Sequence, residues 1–169
     1  MPDELYETDI LAWSRAQAER LRRVAAGQRV NDVDWAHVIE EVEEVGRSEL
    51  SAVLAYLDLA MLHALKVLAW PDHPAAQHWV SEIANFLLQA QARFQAGMQQ
   101  HVDPAAIYAR ALRRLRRLPM QGPPALPLPE AVAFIAAELR DEEFGAADLL
   151  DRLRAAQAPL LSPATSPQP

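Results

Sequence analysis

Cysteine is absent from this chain of 169 residues. That excludes disulfides, thiolate metal sites and a cysteine nucleophile, and leaves the redox compartment unread. Glycine is scarce, five residues in all, so there is little material for a loop that cradles phosphate. No Gly-rich phosphate loop, HExxH pair, nucleophile elbow or zinc spacing occurs. Lysine is reduced to Lys66, and every other basic residue is arginine. No segment alternates apolar and polar residues as a half-buried strand does. The start, MPDELYETDI, lacks a basic n-region and an apolar h-region, so no secretory signal is read and a cytoplasmic setting is expected.

What the chain does contain is apolar surface, 51% of its residues being hydrophobic. At this length that predicts one globular domain with a sizeable core. A net charge of −7 argues against broad attraction to nucleic acid or anionic lipid. Only Leu50 to Trp70 approaches the length of a membrane span, and Asp58, His63 and Lys66 interrupt it. An Asp or a Lys costs roughly 2.5–3.5 kcal/mol at the centre of a spanning helix. The stretch therefore reads as a buried helix, and no membrane partner is expected.

The longest run without proline, Asp34 to Trp70, organises the rest. Trp35, Val38, Ile39, Val42, Val45, Gly46, Val53 and Leu57 fall in one helical stripe. This predicts a central helix that starts at the surface, with an acidic first half, and ends inside as an apolar rod. An unbroken helix of this length would reach about 54 Å at 1.5 Å per residue, so a kink or break is expected near Gly46 and Ser48.

Before it, Ile10, Trp13, Gln17, Leu21 and Val24 predict an amphipathic helix over about 10–26, capped by Thr8 or Asp9 and closed by Gly27. After it, Trp79, Ile83, Phe86, Leu87, Ala90, Phe94 and Met98 predict a helix over about 75–101. Asp103 and Pro104 open a fourth helix ending near Leu118. The segment PMQGPPALPLP is a connector. Beyond Pro129, Val132, Ile135, Ala136 and Leu139 suggest another helix, followed by a short amphipathic run to Arg154. The expected class is therefore all-α: a helical bundle of about four core helices with a C-terminal helical extension. It is one domain over 8–154, with a disordered Pro/Ser/Ala-rich tail at 155–169.

Several residues recur in an order that resembles a bacterial family, domain of unknown function 29. They are Tyr6, Asp9, Trp13, the Leu21-Arg22 pair, Asp34-Trp35, Ile39-Glu40-Glu41-Val42-Glu43 and Gly46-Arg47-Ser48-Glu49. His63, Leu65, Lys66, Trp70, Pro71, Trp79 and Ile83 continue the match, which is best over residues 5–85. The resemblance implies a helical fold and a protein with no assigned activity.

Three constellations stand out. Glu40, Glu41, Glu43 and Glu44 put four carboxylates in five residues, with His37 and Arg47 at helical spacing. Carboxylate and imidazole on one helix face build metal sites in bundles, but His37, Glu41 and Glu44 lie opposite the apolar stripe, so a solvated acidic face is the better reading. His63, Lys66 and Trp70 share a face of an otherwise apolar helix. Here a structural His, with polar ends in water or paired, is favoured over a general base or ligand. Arg110, Arg113, Arg114 and Arg117 make a basic face opposite Tyr108, Ala111, Leu112, Leu115 and Leu118.

The leading reading is a non-catalytic interaction or regulatory module, with no cofactor and no metal, that binds a protein partner or itself. Its candidate contacts are the acidic face at 37–49 and the arginine face. One alternative is a metal-binding or hydrolytic bundle using Glu40, Glu43 and His63, which needs a chain reversal at Gly46. A second is nucleic-acid binding through Arg110 to Arg117, which no interleaved aromatic supports.

Overall fold

In the computed structural model, residues 2–119 and 124–162 are described. Among them the chain forms seven α-helices and one 3-10 turn, with no strand. The helices are α1 (Pro2–Thr8), α2 (Ile10–Ala25), α3 (Trp35–Ala69), α4 (Ala76–Gln91), α5 (Pro104–Leu115), α6 (Ala136–Arg140) and α7 (Ala146–Leu161). The 3-10 turn, Ala96–His101, precedes α5. By its internal contacts the chain divides into two compact units, Met1–Ser48 and Glu49–Pro169.

The N-terminal unit is held by polar contacts around two buried side chains of α2, Trp13 and Gln17. Asp9 caps α2 by accepting from the Ala12 amide at 2.9 Å. Gly27 ends the helix at φ 78°, in the left-handed region that glycine enters without a Cβ clash. The Gln17 side-chain oxygen accepts from the Asp34 amide at 3.0 Å. Arg20 pairs with Asp32 at 2.8 Å. Both contacts fix the loop between α2 and α3.

Helix α3 runs through Gly46 without interruption. The kink or break expected near Gly46 and Ser48 is absent. By length and composition α3 is able to cross a membrane, yet 56% of its most apolar window is buried inside the structure, as in a core helix.

The C-terminal unit contains the hydrophobic core. From Val53 onward α3 contributes ten buried residues, and α4, α5 and α7 pack around it through Ile83, Leu87, Ile107, Tyr108, Leu112, Leu149 and Leu153. The fourth wall is thus α7, an element expected to be an extension. Asp103 caps α5, accepting from the amides of Ala105 and Ala106.

Helix α4 stops at Gln91, whose side-chain amide donates to the carbonyls of Asp141 and Phe144. Phe94 and Met98, expected on the same helix, reach the core from the turn that follows.

The segment before α6 corrects another expectation. Residues 130–135 are not helical. Val132 and Phe134 pack on the core while Ile135 is exposed, the period of two of an extended chain. The strap is pinned along its length: the Leu126 amide donates to the Ala69 carbonyl at 2.9 Å, and the Tyr108 hydroxyl donates to the Pro129 carbonyl at 2.6 Å. Gln157, buried on α7, donates to the carbonyls of Leu68 and Pro127. That anchor explains why α7 continues past Arg154 to Leu161 where a disordered tail was expected. The rest of that tail, 163–169, lies outside the described residues, as do 120–123 of the Pro-rich connector.

Candidate functional site

Each unit carries one candidate surface. In the N-terminal unit it begins at Asp34, which precedes α3 and accepts from its His37 amide at 3.5 Å. The same carboxylate accepts from the Trp13 indole N–H at 3.1 Å and lies 2.7 Å from His37 Nδ1. These bonds, with the one from His37 leading, hold the Asp34 carboxyl below the usual carboxylate range. The Tyr6 ring stacks on His37 with centroids 3.9 Å apart and meets Trp13 edge-on at 4.9 Å. Its hydroxyl donates to Glu41 at 2.7 Å, and chiefly through that bond its pKa is pushed up to about 12.

Tyr6, Trp13, Asp34, His37 and Glu41 thus form one network that sequence spacing did not assemble. The available signal was that Tyr6, Trp13 and Asp34 all belong to the family pattern. The donors and acceptors satisfy one another, so the chemistry on view is structural: it fastens α1 and α2 to one side of α3.

The other side of α3 is uncovered. Trp35 is 51% exposed, Ile39 56%, Val42 69% and Val45 66%, so this half of the helix lies at the surface, apolar stripe included. Every residue from Val42 to Ser48 is exposed, and nothing lies within 4 Å of where a Gly46 Cβ would stand. The reason is reach: α1 and α2 contact the helix through Asp34, His37 and Glu41, and the apolar residues point elsewhere. Glu40 and Glu43 stand beside the stripe in solvent, and Arg47 pairs with Glu43 at 3.5 Å and Glu44 at 2.8 Å.

In the C-terminal unit the basic residues separate. Arg110 makes a bidentate pair with Asp58 at 2.7 and 2.8 Å, so it is a structural link between α5 and α3. Arg116 pairs with Glu130. Arg113, Arg114 and Arg117 are exposed and, among the described residues, make no ion pair. Their apolar counterparts Ile107, Tyr108, Ala111, Leu112 and Leu115 are buried, so α5 offers charge and little apolar surface.

His63 is half-buried against Phe86, and its Nδ1–H donates to the Leu59 carbonyl at 2.8 Å. Burial pushes its pKa down, against the Leu59 hydrogen bond, which raises it. Lys66 lies 5.5 Å from the centroid of the Trp79 ring, and its pKa is also lowered, by burial first and then by Arg114. Glu40 and Glu43 belong to one unit and His63 to the other, and α3 is helical through Gly46, where that alternative needed a chain reversal. Among the described residues no group of three or more His, Asp and Glu side chains is placed to hold a metal ion.

An open groove of about 420 Å³ is bordered by Trp70, Leu112, Arg116 and Leu126. Arg116 is already engaged by Glu130 there, and among the described residues no buried side-chain nitrogen or oxygen lacks a partner.

The profile of the domain of unknown function DUF29 matches residues 5–145. The chain is also similar to an α-helical protein of unknown function from Rhodospirillum rubrum, known from a crystal structure at 1.45 Å resolution. The two share 25% sequence identity and a TM-score of 0.63, over 88% of this chain and 96% of that one. Comparison with curated proteins gives no match.

Proposed function

The chain belongs to the domain of unknown function 29 family, and within it we propose that this member is a non-catalytic interaction module, presenting surfaces to a protein partner or to its own copies. One observation carries the reading: four large apolar side chains, Trp35, Ile39, Val42 and Val45, stand in solvent along α3 with Glu40 and Glu43 beside them. Fully burying such a side chain is worth roughly 1.5–3 kcal/mol, and an apolar patch rimmed by charge is the usual mark of a contact surface. The exposed Arg113, Arg114 and Arg117 supply a second face, suited to an acidic protein surface.

The test replaces Ile39 and Val42 with Asp and, separately, Arg113 and Arg117 with Glu. Both variants are expected to keep the wild-type melting temperature within a few degrees. The first loses association in sedimentation or pull-down, and the second weakens it. If neither variant changes any association, the reading fails.

The arginines of α5 favour one other reading, nucleic-acid binding. It predicts salt-dependent retention on DNA or RNA. An absence of retention at low salt excludes it.

A further inference from the structure

Acidic residues outnumber Lys and Arg in this chain by 23 to 16, yet one group of cations in the C-terminal unit is left without a carboxylate. Lys66, the single lysine, is half-buried on α3 and makes no ion pair among the described residues. Its ammonium does not swing freely in solvent. It is held over the ring of Trp79 on α4, 5.5 Å from the centroid, and His73 stacks on the same ring at 4.7 Å.

The second cation comes from α5. Arg110 fastens that helix to α3 through its two bonds to Asp58, and Arg114 follows one turn later, near enough for its charge to act on Lys66. Arg114 is exposed and, among the described residues, has no ion pair of its own. His63, one turn before Lys66, and His78 on α4 bring further basic groups to the same side. The carboxylate that acts on His63 is Glu82. Among the described residues none does the same for Lys66.

Two like charges set together, one of them partly out of water, disfavour each other, and neither has a counter-ion. An anion between them relieves both penalties. We propose that Lys66 and Arg114 form a binding site for the phosphate group of a small phosphorylated ligand, with Lys66 as the point charge and Arg114 as the planar fork. A phosphate suits the pair better than a carboxylate because its second charge and third oxygen let each cation take an oxygen of its own. Trp79 supports the site by fixing the ammonium before the ligand arrives, which lowers the ordering cost of binding. The site lies within the C-terminal unit and does not rest on the interaction reading. Nucleic acid is the weaker source of the phosphate, since a long backbone would engage Arg113 and Arg117 as strongly as Arg114.

The experiment is an NMR titration of the full chain with inorganic phosphate near neutral pH at constant ionic strength, repeated with acetate. The wild type is expected to bind phosphate saturably, with shifts at the Trp79 indole and the His63 ring, and acetate more weakly. Lys66→Met and Arg114→Met should each weaken phosphate by about tenfold or more, whereas Arg117→Met should change it by less than about twofold. Arg114→Met, at an exposed position, decides the matter if Lys66→Met disturbs the packing on Trp79. The proposal is overturned by a wild type that shows no saturable binding, by an Arg114→Met protein that binds as the wild type does, or by an equal loss in Arg117→Met. Acetate bound as tightly as phosphate also overturns it.

Discussion

The two halves of α3 carry apolar side chains at the same three-and-four spacing, yet they meet different surroundings. Every buried residue of the helix lies at Val53 or beyond, whereas Trp35, Ile39, Val42 and Val45 are each more than half exposed. A helical stripe therefore says that something covers it, and leaves open whether the cover is the same chain. In the second half the cover is α4, α5 and α7. In the first, α1 and α2 take the polar side of the helix through Asp34, His37 and Glu41 and leave the apolar side bare.

Truncating one residue in each half should separate the two most strongly. Leu65→Ala, at a fully buried position, is expected to cost about 2–5 kcal/mol, whereas Val42→Ala in dilute solution should stay within about 0.5 kcal/mol. Urea midpoints measured side by side decide it. Equal losses would place Val42 in a core.

Next in size is Tyr108→Phe. It deprives the buried Pro129 carbonyl of its donor and is expected to cost about 1–3 kcal/mol. The same tyrosine governs alkaline stability. Its pKa is raised by burial from 10.0 to about 12, so its contribution is present below pH 10 and disappears as pH climbs toward 12. Tyr6 follows the same sign in the N-terminal unit. Thermal melts at about pH 9 and about pH 11 should show a larger drop for the wild type than for Tyr108→Phe. Asp34 works in the opposite direction, because its lowered pKa stabilises the N-terminal unit above the ordinary carboxylate value. That contribution fades as pH falls below it, and Asp34→Asn should flatten the acid limb of the stability profile.

Smaller still, Arg152→Ala removes the bidentate pair with Glu138 and a cation held 5.4 Å from the Phe134 ring. The pair is partly solvated, so the loss is small, read as a drop of a few degrees in melting temperature. Gly46→Ala should stabilise by up to about 1 kcal/mol, since helix α3 is continuous there and the new methyl meets open space. A destabilised Gly46→Ala would mean that the unassociated helix bends at this residue.

Much of the architecture was legible in the sequence because the signals were local. Asp9, Gly27 and Asp103 sit where caps and terminators belong, and the three-and-four spacing located α2, α3 and α5. The strap before α6 was misread because Val132, Ile135, Ala136 and Leu139 satisfy helical spacing, while the folded chain uses the alternation of Val132 and Phe134. Helix α7 was cut short because Pro159 and the Ser/Ala composition hide the anchoring role of Gln157, whose partners lie 30 and 89 residues away. The acidic face was visible in the sequence, but the network joining it to Tyr6 and Trp13 depends on long-range contacts that spacing does not encode. Arg110 looked like one of four equivalent arginines until Asp58 separated it from the rest.

If the protein associates through this surface, the bare half of α3 is covered in the complex. Amide hydrogen exchange across residues 35–48 tests that directly, in dilute and concentrated wild-type protein and again in Ile39→Asp/Val42→Asp. Exchange in this stretch is expected to slow with concentration in the wild type and not in the variant, while the stretch from Val53 to Ala69 stays equally protected in both. Exchange over 35–48 that is the same at every concentration, or that slows equally in the variant, would contradict it.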